Sequence, residues 1–245
     1  MTPQRNLAID IGNTSIKVLV FEMDAIIWQK SFSTIKPDLI KAILKKYKPQ
    51  RSIICSVAKT PASLSSYLQK NTICLELNAK TKLPVKIAYS TPATLGSDRI
   101  AGIIGASKLF PQKNVLVIDL GTCIKYDFLT KGMQYIGGSI SPGLHMRLKA
   151  LHHYTDRLPL LKPAVVKGFI GKSTSSSILT GVQIGITAEI EGFVSRYKTQ
   201  YGLIKVIITG GDTSGFARQL KFPIFAAPDL IGIGLNEILN FNAQN

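Results

Sequence analysis

The sequence predicts an α/β protein of two like-folded halves with mixed β-sheets, residues 1–114 and 115–245. Three observations predict it. Apolar β-forming runs first follow one another and then alternate with stretches of helical periodicity, the order expected of an α/β chain with mixed strand directions. A strand-Asp-turn-strand segment occurs twice. Ala8-Ile9-Asp10-Ile11-Gly12-Asn13-Thr14-Ser15-Ile16-Lys17 lines up with Val117-Ile118-Asp119-Leu120-Gly121-Thr122-Cys123-Ile124-Lys125 once Asn13 is skipped, and Asp119 follows Asp10 by 109 residues (119 minus 10). A repeat at nearly half the chain points to two similar halves facing each other across a cleft. Finally, 245 residues with 45% hydrophobic and 18% charged side chains supply a sizeable core for one large domain or two small ones.

The elements follow in order. Leu7 to Ile9 and Val18 to Phe21 are apolar runs around Gly12-Asn13, a turn pair tolerant of positive φ, and they read as a hairpin. Residues around Ile26-Ile27-Trp28 form a third antiparallel strand. Leu39, Ile40, Ile43 and Leu44 recur at helical spacing over Asp38 to Tyr47, and Pro49 ends that helix. Ser52 to Val57 is a buried strand, Pro61 to Lys70 a helix, and Ile73 to Leu77 another strand. Thr91 to Arg99 leads into a buried helix over Ile100 to Leu109, with Asp98 and Arg99 in its first turn. Val115 to Asp119 opens the second hairpin. Tyr135 to Gly143 reads as a glycine-rich loop opening a helix over Leu144 to Leu151. Ser173 to Ser177 offer N-cap chemistry for a long helix, Ile178 to Tyr201. Val206 to Thr209 is a strand closing with Gly210-Gly211-Asp212, and Pro228 to Leu239 is a glycine-interrupted apolar helix.

Several function classes are disfavoured. No apolar run approaches the roughly 18 to 20 residues of a membrane span, and Arg5 leads directly into a strand without a signal-peptide pattern, so a cytoplasmic protein is expected. Cys55, Cys74 and Cys123 are odd in number and widely spaced, which suits reduced thiols better than disulfides or zinc. The net charge of +16 favours anionic partners, but its lysines and arginines are scattered, so solvated faces are the default reading and a nucleic-acid surface the lesser one. His145, His152 and His153 form no nucleophile-base pattern and read as structural or surface residues. Gly171-Lys172-Ser173-Thr174 is not a P-loop, because the glycine that motif needs would fall at Val166.

The chemistry centres on the first hairpin. The amides of Gly12, Asn13 and Thr14, the hydroxyls of Thr14 and Ser15 and the Lys17 ammonium can cradle phosphate oxygens, and the Asp10 carboxylate at a strand end suits Mg²⁺ or its bound waters. Taken alone, Asp-x-Gly-Asn-Thr is equally an ordinary hairpin with a polar tip. An Asp in a first helical turn, as at Asp98, is often only a favourable charge beside the helix dipole, but Arg99 next to it at the mouth of an apolar helix is harder to dismiss. Gly210-Gly211 is the kind of strand-to-helix turn against which a flat ligand lies.

Five motifs in order, Asp10-x-Gly12-Asn13-Thr14, Gly96-x-Asp98-Arg99, Asp119-x-Gly121-Thr122, Gly137-Gly138-x-Ile140-x-Pro142-Gly143 and Gly210-Gly211-Asp212, resemble the type III pantothenate kinases over nearly the whole chain. That family sits within the acetate and sugar kinase, heat-shock cognate chaperone and actin superfamily, whose two RNase H-like halves clasp ATP. The resemblance implies ATP phosphates on Asp10, Ile11, Gly12, Asn13, Thr14, Ser15, Ile16 and Lys17 and on Thr122, with adenosine near Gly210 and Gly211. It implies Mg²⁺ near Asp10 through water, and a monovalent cation, potassium or ammonium, on Asp119. Pantothenate would lie against Tyr89, Gly96, Ser97, Asp98, Arg99 and Thr174, with Asp98 as catalytic base. Tyr89 precedes Gly96 by seven residues, the family's spacing (96 minus 89). A homodimer is also implied, with Gly137 to Gly143 and the following helix near its interface. Where the family commonly reads Asp-x-Gly-Thr-Ala-x-Thr this chain has Cys123 and Lys125, and a lysine beside the cation site can weaken or replace the ion.

The expected function is ATP-dependent phosphorylation of pantothenate to 4′-phosphopantothenate, the opening step of coenzyme A synthesis. Two other readings stand beside it: a regulatory or nucleic-acid-associated relative that keeps the fold without catalysis, and a kinase of another small hydroxyl-bearing substrate. The retained Asp10, Asp98, Arg99 and Asp119 weigh against the first.

Overall fold

A computed structural model describes residues 4–57 and 61–244. Contacts divide it into two compact units, Met1–Gln112 with Leu129–Gly137 and Asp229–Asn245, and Lys113–Phe128 with Gly138–Pro228. A cut between 114 and 115 and these contact-based units are different divisions, because 129–137 and the C-terminal helix are grouped with the first unit.

In the first unit β1 (Arg5–Ile11) pairs antiparallel with β2 (Ile16–Glu22), which pairs antiparallel with β3 (Ala25–Phe32). On its other side β1 pairs in parallel with β4 (Arg51–Ser56), and β4 with β5 (Ile73–Glu76), giving the order β3-β2-β1-β4-β5. The period of two decides which layer each residue meets. Leu7, Ile9 and Ile11 join Val18, Val20 and Ile54 in a core with Ile40 and Ile43 of α1 (Pro37–Tyr47) and Leu64 and Leu68 of α2 (Ala62–Asn71). The alternate register of β1 faces α7 (Leu230–Gln244), where the Asn6 side-chain amide donates to Asn236 at 2.8 Å. Helix α1 stops at Tyr47 because Lys48 takes the left-handed conformation (φ 49°), and Pro49 cannot resume the helix.

Helix α3 (Ser97–Leu109) packs closely on α7. A Cβ at Gly234 would clash with the Ala101 carbonyl and come within 2.8 Å of the Gly105 nitrogen, so the two backbones touch where glycine removes the side chain. The same contact accounts for Gly105, where a Cβ would clash with the Leu230 carbonyl, within the buried run Ala101-Gly102-Ile103-Ile104-Gly105-Ala106. Parallel strand β6 (Lys86–Ile87) meets the start of β9 (Gln134–Pro142) through Lys86↔Gln134 and Ile87↔Tyr135.

In the second unit β7 (Val115–Leu120) runs into β8 (Cys123–Leu129), and β10 (Lys205–Thr209) pairs in parallel with β7 and with β11 (Phe225–Ala226). Tyr135 to Gly143, expected as a loop, is strand β9 as far as Pro142. Gly138 there serves a close approach, since a Cβ on it would stand on the Tyr126 carbonyl. Helix α4 (Leu144–His153) follows. Helix α5 (Thr174–Tyr201) begins at a capping box in which Ser173 and Ser176 satisfy each other's backbone amides. Along α5, Phe193, Tyr197 and Tyr201 recur every fourth residue; Phe193 stacks on Tyr126 (centroids 4.1 Å), and Tyr197 and Tyr201 pack on Phe128 (4.8 and 4.4 Å). Short α6 (Thr213–Phe216) lies between β10 and β11. Among the described residues no helix is long and apolar enough to cross a membrane.

Candidate active site

The first hairpin forms as its sequence requires. Ile11 pairs with Ile16 and Asp10 with Lys17, and the Gly12 amide donates to the Ser15 carbonyl at 3.0 Å. The Gly12 amide, expected to point at a ligand, is thus spent on closing the turn. Asn13, Thr14 and Ser15 are exposed at the tip. Asp10 and Lys17 lie opposite each other in the ladder and so project to one face, that of α3 and α7. There Lys17 Nζ meets the Asp229 carboxylate at 2.6 Å, both side chains mostly shielded. The ammonium expected at the phosphates is therefore already partnered by a residue just ahead of α7.

Parallel pairing sets Cys55 beside Asp10. The Cys55 thiol donates to the Ser97 hydroxyl at 3.2 Å, and Ser97 donates to the Ser56 carbonyl at 3.0 Å. Burial pushes the Cys55 thiol well above its usual range; the charge of Asp10 and, to a lesser extent, that of Asp98 push the same way. A buried thiol raised in this way stays protonated and unreactive. Asp10, Cys55 and the start of α3 thus share the carboxyl ends of β1 and β4, where open α/β sheets place their ligands.

Helix α3 presents the rest. Gly96 is its N-cap, Ser97 and Asp98 open the first turn, and Asp98 accepts the Arg99 amide at 2.8 Å. Arg99 is 7% exposed, with its guanidinium carbon 5.8 Å from the centroid of the Tyr89 ring, a cation-π distance. Tyr89 in turn stacks on Tyr135 at 6.1 Å. Tyr89, Gly96, Ser97, Asp98 and Arg99, singled out as acceptor-binding residues, are therefore brought together. Beside them opens a cavity of about 370 Å³ whose wall includes Ser56, Asn78, Thr94, Gly96, Ser97 and Ile100.

The second unit carries the counterpart hairpin. The Gly121 amide donates to the Cys123 carbonyl at 3.2 Å, closing a turn one residue shorter than the first. Asp119 Oδ2 accepts from Lys125 Nζ at 2.7 Å. Thr209 is the parallel-strand partner of Asp119, and Gly210 after it has φ +95°. The Asp212 amide returns to the Leu120 carbonyl at 3.0 Å, and the Gly143 amide donates to the Thr122 carbonyl at 3.1 Å. Thr122, Asp119, Gly210 and Gly211 are thus neighbours in this unit. Burial pushes the Asp212 carboxyl above its ordinary range, with the charge of His145 pulling the other way. Thr174 is the exposed first residue of α5.

A further polar cluster joins four elements of this unit. Glu189 of α5 accepts from the Tyr126 hydroxyl at 2.8 Å, the Ser141 hydroxyl at 2.6 Å and the Arg147 guanidinium. Burial alone would raise the Glu189 carboxyl, but the bonds from Ser141, Arg147 and Tyr126 outweigh it and hold the carboxyl below its ordinary range. Sequence reasoning missed Cys55, Asp229 and Glu189. Only Asp229 left a trace, as a lone acid between Pro228 and an apolar helix. Among the described residues no three His, Cys, Asp or Glu side chains converge to hold a metal.

Residues 6–196 match the family model for type III pantothenate kinase. The chain is 45% identical over 237 residues to a type III pantothenate kinase of Cytophaga hutchinsonii, covering 97% of this chain and 99% of that protein. It is 43% identical over 238 residues to one of Bacteroides fragilis, covering 97% and 98%. Among solved structures, a Campylobacter jejuni protein described as a conserved candidate Baf-family transcriptional activator superposes with TM-score 0.62 at 22% identity, over 98% of this chain and 100% of that one. A 2-hydroxyglutaryl-CoA dehydratase component A of Acidaminococcus fermentans superposes with TM-score 0.54 at 14% identity, over 97% of each chain. At these identities the structures speak to the fold alone, whereas the family model and the near full-length relatives speak to the family: this chain belongs to the type III pantothenate kinases.

Proposed function

We propose that this chain transfers the γ-phosphoryl group of ATP to the primary hydroxyl of pantothenate, giving 4′-phosphopantothenate and ADP, with Asp98 as the general base. One observation carries the assignment of roles: Asp98 opens α3 next to a buried Arg99 that lies over Tyr89, so a proton acceptor and an anion receptor stand side by side. Asp98 takes the hydroxyl proton as the pantothenate oxygen bonds to the γ-phosphorus and the bond to the β,γ-bridging oxygen breaks. Arg99 receives the pantothenate carboxylate, a use suited to its planar fork. Tyr89, Gly96, Ser97 and Thr174 complete the pantothenate contacts. Phosphoryl transfer needs positioning and charge neutralisation more than covalent help.

Residues 10–17 and Thr122 hold the ATP phosphates, and Gly210 and Gly211 lie against adenosine. The exposed tip of Asn13, Thr14 and Ser15 suits that role; Lys17 contributes a charge shared with Asp229. Mg²⁺ fits Asp10, since this ion commonly takes one or two carboxylates, keeps several waters and completes its shell with phosphate oxygens. When bound it neutralises phosphate charge. A cytoplasmic homodimer of two RNase H-like halves, 1–114 and 115–245, completes the reading.

ADP release should be measured with pantothenate and with a panel of hydroxyacids and sugars. Turnover with pantothenate on the order of 1 to 10³ s⁻¹ and background with the panel is the expected result. A sugar or hydroxyacid outpacing pantothenate would overturn the substrate assignment.

A further inference from the structure

The family resemblance puts a monovalent cation on Asp119, and the residues there do not suit one. Asp119 Oδ2 holds the Lys125 ammonium at 2.7 Å, with the two side chains only 16% and 21% exposed. Asp119 Oδ1 backs onto Gly210, where a Cβ would stand 2.6 Å from it. One carboxylate oxygen thus abuts backbone and the other already carries a cation, so a second cation on Asp119 would meet like-charge repulsion at contact range.

We propose that Lys125 is a tethered cation, doing permanently at Asp119 what a bound potassium or ammonium ion would do, and that the enzyme needs no added monovalent cation. The proposal rests on the reading of Asp119 and Thr122 as part of the phosphate site. Its chemistry is simple: a primary ammonium carries the same single charge as either ion and donates up to three hydrogen bonds. Its position is fixed, because Lys125 sits in β8 between Ile124 and Tyr126, which are 2% and 0% exposed. In the first copy the equivalent Lys17 meets Asp229; in the second, Lys125 meets the strand-end carboxylate of its own hairpin.

The test is a cation series on the full chain freed of alkali ions, reading both pantothenate-dependent ADP release and melting temperature. Potassium, ammonium and choline chlorides are compared at matched ionic strength on the order of 0.1 M. Wild-type rates should agree within about twofold in all three salts, with no potassium-dependent rise in melting temperature. Lys125→Thr should lose on the order of 10-fold to 100-fold in choline, regain most of it in potassium or ammonium, and melt higher with potassium than without. Wild-type activation of about tenfold by potassium would overturn the proposal, as would Lys125→Thr running at the wild-type rate in choline. If Lys125→Thr fails to fold, the wild-type series decides alone. Absence of pantothenate-dependent turnover in every salt is a different failure, that of the pantothenate reading. In that case potassium-dependent melting of Lys125→Thr but not of wild type still supports the tethered cation, and identical melting responses of the two reject it.

Discussion

Arg99 is a charged side chain with 7% of its surface exposed, and charged groups are rarely buried without partners to hold them. The guanidinium over Tyr89 supplies one such partner, and the neighbouring Asp98 places a carboxylate next to it in the chain. If Arg99 receives a carboxylate in two parallel bonds, lysine cannot replace it, because an ammonium offers a point charge where a planar fork is needed. Arg99→Lys should raise the KM for pantothenate by about tenfold or more while leaving the KM for ATP within about twofold. Equal effects on both substrates would place Arg99 in general packing instead. At this scale the sequence was partly legible. Asp10, Asp98, Arg99 and Asp119 stood out by residue type and position, and Lys125 stood out beside Asp119, but the partner of Lys17 did not. The fold sets Asp229, distant in the chain, 2.6 Å from Lys17, a contact that sequence spacing cannot show.

Among elements, the legible ones were those whose burial follows a simple period. The two hairpins and α1 declare themselves through alternation or helical spacing. Strand β9 did not, because Gly137-Gly138 and Pro142 look like loop chemistry when the neighbour that requires a glycine, the Tyr126 carbonyl, is out of sight. Strands β6 and β11, of two residues each, are too short to carry a period. The contact of α3 with α7 was also hidden, although its glycines were in view, since a glycine in an apolar helix does not say which helix it meets. Gly234→Val tests that contact, because the added side chain has nowhere to go between the two backbones. The variant should lose about 1 to 3 kcal/mol or more in denaturant unfolding, whereas Gly181→Val, at an exposed helix position where a Cβ meets open space, should change stability by about 0.5 kcal/mol or less. Equal losses at the two positions would show that α3 and α7 do not touch there.

For the whole molecule, the repeated hairpin made the two-part α/β architecture readable. What it could not convey is that residues 129–137 and α7 belong with the first compact unit, since chain order carries no record of which sheet a later helix covers. The second unit is tied by Glu189, which links α5 to β8, β9 and α4. Its folded-state carboxyl lies below the ordinary range, so its ionised form contributes stability above the unfolded value, and that contribution is lost as pH falls through the folded value. The melting temperature of wild type should therefore exceed that of Glu189→Gln at neutral pH, with the gap closing below about pH 4. A gap constant with pH would mean that the ionised form of Glu189 is not what the cluster stabilises.

The central role proposed for this chain is that of Asp98 as the base in pantothenate phosphorylation. Steady-state turnover of Asp98→Asn with pantothenate, alongside its affinity for ATP, tests it most directly. The variant should fold, bind ATP as wild type does, and lose on the order of 10²- to 10⁴-fold in kcat. A folded Asp98→Asn enzyme turning over near the wild-type rate would contradict the account.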